Sequence, residues 1–167
     1  MIDAPYVGRF APSPTGPLHF GSLVAALASW LDARAAGGRW LVRIEDVDAT
    51  RTVPGAADAV LRALEAMALL WDGEIAWQSR RTALYESALA TLRARALTYR
   101  CKCSRKEVAD SGAPGLEGAI YPGTCRLLGV PAQAPASERM RAGETPITFV
   151  DRVQGAIGQS VGREIGD

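Results

Sequence analysis

The chain has 167 residues, enough for one domain with its own core and a small appendage. Hydrophobic residues make up 48% and charged residues 22%, an ordinary globular balance, and a formal net charge of +1 gives no footprint for indiscriminate binding to DNA or another polyanion. No run approaches the roughly 20 apolar residues of a membrane span. The opening MIDAPYVGRF has no basic segment followed by an apolar one, so no secretory signal is expected. Three cysteines, two of them one residue apart, argue against a disulfide framework and for a reducing, cytoplasmic setting.

Residues 6–10 (YVGRF) are short, apolar and β-prone, which predicts a buried strand ended by a Pro-rich loop. Residues 20–36 repeat apolar side chains at helical spacing until Gly37-Gly38 stops them. Residues 39–46 (RWLVRIED) predict a second buried strand, so the three elements form a βαβ unit with a parallel pair and a right-handed crossover. Residues 56–70 predict a helix with Pro54 near its start, WDGEIAWQS a turn and a short extended piece, and residues 82–96 an amphipathic helix. This is the pattern of half an open α/β sheet. From Tyr99 the chain becomes Gly- and Cys-bearing, with one helical turn opened by a Ser104 to Glu107 capping box. VPAQAPASERM reads as a linker, and residues 145–155 as one or two strands returning to the sheet. The expected division is 1–98, half of a catalytic sheet domain; 99–144, an insertion and linker; and 145–167, the return.

Three stretches carry chemistry. In GRFAPSPTGPLHFGS (residues 8–22) three prolines, Pro12, Pro14 and Pro17, stiffen the loop after the first strand, and the single histidine, His19, stands at its exit. Ligands of open parallel sheets gather beyond the carboxyl ends of the strands. There the amides at Phe20, Gly21 and Ser22 favour an anion, and His19 can donate to phosphate oxygens. A plain turn with a helix-capping histidine accounts for the same residues, and no Gly-Lys-Ser/Thr marks a Walker loop. In RIEDVDATR (residues 43–51), Glu45, Asp46 and Asp48 fall beside that loop, placed for an ammonium or ribose hydroxyls. A solvated acidic turn paired with Arg43 and Arg51 is the alternative. Cys101, Cys103 and Cys125 leave one position of a tetrahedral zinc site open, but CxC is tighter than the usual CxxC, so spacing alone is a weak signal for metal against buried or incidental thiols.

Taken together, RFAPSPTGPLHFGS and GGRWLVRIEDVDATR closely resemble the glutamyl class of class I aminoacyl-tRNA synthetases, with HFGS where that superfamily carries its HIGH signature. GSLVAALASWLDARAAGGRW, PGAADAVLRALEAMALLWDG, QSRRTALYESAL and YPGTCR resemble its short glutamyl-Q branch, and the likeness runs from residue 6 to the final residue. The resemblance implies an α/β, Rossmann-like class I synthetase fold, of which this sequence is the first half, with a small zinc-bearing insertion. It implies activation of glutamate by ATP, with Mg2+, to glutamyl-adenylate. Transfer to queuosine at the wobble position of tRNA(Asp) would follow.

By matching position, Arg9 would pair with the substrate carboxylate, Ala11 and Ser13 would make further glutamate contacts, and Glu45 would receive the ammonium. Pro12, Thr15, Gly16, His19, Gly21 and Ser22 would form the nucleotide site, with His19 and Gly21 stabilising charge on the phosphates during catalysis. Cys101, Cys103, Tyr121 and Cys125 would hold one structural Zn2+. In the family the end of this sequence leads into a second half bearing a lysine-containing, KMSKS-like loop, and no lysine lies beyond Lys106. The expectation is therefore a chain inactive by itself. The competing readings are a general glutamyl-tRNA synthetase fragment and a catalytically silent zinc-bearing module that binds adenosine or RNA.

Overall fold

The computed structural model describes residues 5–115 and 118–167; residues 1–4, on which part of the signal-sequence reading rests, lie outside the described residues. By internal contacts the chain divides into two units, Met1–Tyr85 and Glu86–Asp167. Up to residue 94 the elements are β1 (Val7–Phe10), α1 (Phe20–Ala35), β2 (Arg39–Ile44), α2 (Ala56–Ala66), β3 (Ala76–Trp77), a 3-10 turn over Gln78–Arg81 and α3 (Thr82–Ala94).

The predicted βαβ unit is present. β1 pairs parallel with β2, Val7 opposite Arg39 and Phe10 opposite Val42, and β2 pairs parallel with β3. As the central strand, β2 buries Trp40, Val42 and Ile44. These join Phe10, Ala26 and Ala33, together with Val60, Leu64 and Leu69, in one core. Gly8 lets α1 lie close on β1, since a Cβ there would stand 3.0 Å from the Ala33 Cβ and 3.2 Å from the Trp40 ring. The buried indole N–H of Trp40 donates to Ser29 Oγ at 2.9 Å, so the large ring enters the core without an orphaned donor.

Helix ends explain the boundaries that sequence reading overran. α1 stops at Gly37, α2 near Ala68, and α3 near Ala96, with φ of 61°, 56° and 53° respectively. At each, the next amide bonds back five residues: Gly38 to Ala33, Leu69 to Leu64, Leu97 to Leu92, at 2.8–2.9 Å. These are Schellman closures, two of them built on alanine in place of glycine. β2 ends at Ile44 instead of residue 46 because the Glu45 amide leaves the ladder and donates to Pro12 O at 3.0 Å.

The second unit contains β4 (Thr98–Cys101), α4 (Arg105–Ser111), β5 (Ala113–Gly115), β6 (Gly118–Ile120), β7 (Ser137–Met140), β8 (Ile147–Asp151), β9 (Gly155–Gln159) and α5 (Val161–Glu164). The capping box at α4 is formed: Ser104 N donates to Glu107 at 2.7 Å and Glu107 N to Ser104 Oγ at 3.2 Å. Two sequence readings are corrected here. Part of the supposed linker is β7, which pairs antiparallel with β4. Residues 145–155 do not return to the parallel sheet: among the described residues β8 pairs with β9 alone. A tight turn folds β9 back on β8: Asp151 Oδ1 accepts from the amides of Val153 and Gln154, and Gly155 takes a φ of 85°.

β7 is tied down by Glu138. Its carboxylate accepts from Arg93 Nε at 2.9 and 3.0 Å and from Thr98 Oγ1 at 2.7 Å, and these bonds outweigh burial to hold its pKa at about 2. The folded value lies below the ordinary carboxylate value of about 4.3, so the stabilisation is complete above that pH and is lost as pH falls through about 2. Glu138→Gln is expected to lower the urea midpoint at neutral pH and to flatten the acid loss between about pH 4 and pH 2. An unchanged acid limb in the variant would refute this role.

Candidate active site and metal centre

The loop between β1 and α1 curls onto itself through Thr15 N to Ser13 O (2.9 Å), with the Pro14 ring fully buried. It encloses a cavity of about 410 Å³ whose wall includes Ala11, Pro12, Ser13, Thr15, Gly16, His19, Gly21 and Ser22. The candidate nucleotide residues and two candidate glutamate contacts therefore share one wall. His19 is the N-cap of α1: its Nδ1 accepts from Ser22 N at 3.2 Å, and Nε2 lies 3.0 Å from Ser22 Oγ. A backbone N–H can only donate, so Nδ1 is bare and Nε2 carries the proton. The capping histidine and the cavity-lining histidine are thus the same residue. A Cβ at Gly21 would come within 3.2–3.3 Å of the imidazole, so glycine there leaves the ring its place.

Two main-chain bonds lock the acidic segment against this loop: Glu45 N to Pro12 O at 3.0 Å and Val53 N to Pro14 O at 2.9 Å. Both bonds from Arg43 fall on Glu45 Oε1, that from Nε at 3.1 Å, leaving Oε2 for another donor. Asp46 accepts from Ser79 N (2.9 Å) and Ser79 Oγ (2.6 Å). Burial raises its pKa, but Ser79 and Arg80 win and hold it below the usual range. Asp48 closes the following turn, accepting from Thr50 Oγ1 at 2.7 Å and Arg51 Nε at 2.6 Å, which bring its pKa to about 2. The acidic turn paired with Arg43 and Arg51 is real, and it is pinned beside the loop. Arg9 lies on β1 opposite Leu41, exposed, and among the described residues its guanidinium has no hydrogen-bond or ion-pair partner. Neither Arg9 nor Glu45 belongs to the cavity wall. The link from Asp46 to Ser79 was invisible in the sequence, since 33 residues separate the partners.

In the second unit the sulfurs of Cys101, Cys103 and Cys125 lie within 4.8 Å of one another, the last two 3.6 Å apart. The Tyr121 hydroxyl is 3.3 Å from Cys101 Sγ and 3.8 Å from Cys103 Sγ. Zinc–sulfur bonds of about 2.3 Å in a tetrahedron set ligand sulfurs about 3.8 Å apart, so the donors present fit a metal ion. Burial pushes the Cys101 thiol up, but Tyr121, Arg139 and the Cys103 backbone bring its pKa down to about 7. Burial and Cys101 push the Tyr121 phenol up, a shift that a bound cation would oppose. These side chains are also the unit's core: Tyr99, Cys101, Tyr121 and Cys125 are its buried cluster.

A parallel βαβ unit whose first loop and helix N-terminus wall a cavity is the Rossmann-type arrangement for nucleotides. The chain belongs to the class I tRNA synthetases: the family model "tRNA synthetases class I (E and Q), catalytic domain" matches residues 6–117. A curated protein named glutamyl-Q tRNA(Asp) synthetase from Dechloromonas aromatica (strain RCB) is 54% identical over 171 residues, covering 99% of this chain and 56% of that protein. One of the same name from Bordetella bronchiseptica is 57% identical over 167 residues, covering 97% and 52%. The chain spans about half the length of the curated relatives it matches.

Among solved structures, a glutamate tRNA ligase from Elizabethkingia meningosepticum in complex with its amino acid matches with a TM-score of 0.75 at 25% identity, over 93% of this chain and 36% of that one. A glutamate-tRNA synthetase from Elizabethkingia anophelis shares the fold, with a TM-score of 0.78 at 24% identity over 98% and 38%. No helix among the described residues is long and apolar enough to cross a membrane.

Proposed function

We propose that this chain supplies the ATP- and amino-acid-binding part of a cytoplasmic enzyme that activates glutamate and passes it to queuosine at the wobble position of tRNA(Asp). The observation that supports this most is the pair of main-chain bonds from Glu45 to Pro12 and from Val53 to Pro14. They hold the loop and the acidic segment together at the carboxyl end of β1 and β2. ATP, accompanied by Mg2+, enters the loop cavity with its phosphates at the start of α1, against Pro12, Thr15, Gly16 and Ser22. The Arg9 fork, without a side-chain partner among the described residues, takes a glutamate carboxylate, a charge-assisted and bidentate bond. Ala11 and Ser13 line the amino acid, and the open Oε2 of Glu45 receives its ammonium.

A glutamate carboxylate oxygen attacks the α-phosphorus, the bond to pyrophosphate breaks, and glutamyl-adenylate forms. No protein nucleophile takes part; positioning and charge stabilisation do the work. The Nε2–H of His19 turns from Ser22 Oγ to the phosphates as their charge redistributes, and Gly21 leaves the ring room to do so. Cys101, Cys103, Tyr121 and Cys125 would hold zinc, which would serve as a structural crosslink and take no part in the reaction.

Glutamate-dependent ATP–pyrophosphate exchange tests the proposal, run on this chain and on a form extended past Asp167. Exchange is expected in the extended form alone, with charging of queuosine-bearing tRNA(Asp) and not of tRNA(Glu). A folded, extended protein without exchange would favour a zinc-bearing nucleotide- or RNA-binding module.

A further inference from the structure

Three thiolates outweigh a divalent cation by one charge even where the phenol keeps its proton, so the centre at Cys101, Cys103, Tyr121 and Cys125 needs a counter-charge from the fold. One cation is built into its wall. In the β4–β7 ladder Tyr99 stands opposite Arg139 and Cys101 opposite Ser137. Positions two apart share a face, which makes Arg139 the diagonal neighbour of Cys101. Its guanidinium carbon lies 3.9 Å from the centroid of the Tyr121 ring. Nη1 donates to Asp167 O at 2.6 Å and fixes the group, while the buried Nε has no partner among the described residues.

Arg100 and Arg126 also carry an orphaned Nε, but among the described residues neither stacks on a candidate ligand. Arg141 supplies the internal contrast, because it stacks at 5.0 Å on Tyr99, which is outside the donor set.

We propose that Arg139 is the counter-cation of this centre, a positioning residue that sets its affinity for a divalent metal ion. The proposal rests on the metal reading above and adds a residue to it. Held by Asp167 O, the guanidinium stabilises ligand charge without itself binding the ion.

The test is Zn2+ affinity at fixed pH, measured by competition with a chromophoric chelator, for the parent, Arg139→Met, Arg139→Lys and Arg141→Met. Circular dichroism checks the fold, and the Co2+-substituted absorption spectrum reports the ligand set. Arg139→Met is expected to weaken zinc binding about 10- to 100-fold with a retained cobalt–thiolate band, Arg139→Lys to recover part of the loss, and Arg141→Met to change it less than about threefold. If Arg139→Met does not fold, Arg139→Lys is compared with Arg141→Lys. A loss at 139 at least about fivefold larger supports the proposal, and a smaller difference overturns it. Equal affinity in parent and Arg139→Met, or equal losses at 139 and 141, overturns the proposal and leaves the zinc reading standing. A parent that binds no zinc overturns both.

Discussion

Removal of the proposed metal with a strong chelator is expected to melt the second unit and spare the first. The buried cluster of the second unit is Tyr99, Cys101, Tyr121 and Cys125, so three of its four members are proposed ligands. Among the described residues its sheets are three pairs of short strands, and such pairs are marginal in water without a further apolar layer. Structural zinc contributes about 10–16 kcal/mol in small metal-dependent domains, as much as the whole stability of an ordinary domain. The first unit owes nothing to cysteine: its core is Phe10, Trp40, Val42, Ile44, Val60, Leu64 and Leu69 with two alanines.

The chain carries its own reporters. All four tryptophans, at 30, 40, 71 and 77, lie in the first unit. Chelation should leave their emission unchanged while amides of β4 and β7 lose protection from hydrogen exchange. Cys103→Ala should do the same without chelator. Protection that survives chelation, or less than about a tenth of an equivalent of zinc after dialysis, would remove the metal from the account of this unit.

How far the sequence carried depends on whether the cause of a feature is local. The βαβ unit was legible because apolar periodicity changed from strand to helix and back within about forty residues, with glycines to mark the stop at 37 and 38. The ends of α2 and α3 were not, because alanines at 68 and 96 occupy left-handed positions that glycine usually announces. The capping box at Ser104 was legible for the same local reason. The return of residues 145–155 to the sheet was misread since β-propensity names a strand but not its partner.

At the site, Pro-rich loop and histidine pointed to the cavity wall, but the loop's hold on Glu45 is a backbone bond that no side-chain pattern records. Two readings that competed in the sequence, helix cap and ligand group at His19, turn out to be compatible. Tyr121 could be placed among the sulfurs only through resemblance, for a tyrosine four residues before a cysteine carries no metal-binding spacing of its own.

The second large effect is expected at His19, in the extended form that catalyses exchange. His19→Ala removes two things at once. Loss of the N-cap on Ser22 N should cost about 0.5–2 kcal/mol of stability. Loss of the proposed donor to the phosphates as charge shifts should lower kcat for exchange about 10²- to 10³-fold with little change in the KM for glutamate. His19→Asn separates the two, because asparagine is a good N-cap: stability should return while kcat stays low. Arg9→Ala, by contrast, deletes the proposed charged contact to glutamate, one that would already be made in the ground state. It should raise the KM for glutamate about 10- to 100-fold and leave that for ATP alone. Glu45→Ala should follow Arg9→Ala, with Arg43 released from its pair. If His19→Asn restores rate together with stability, the imidazole is a cap and nothing more. If the glutamate KM is also unmoved by changes at 9 and 45, the amino acid sits elsewhere and the loop cavity serves a different ligand.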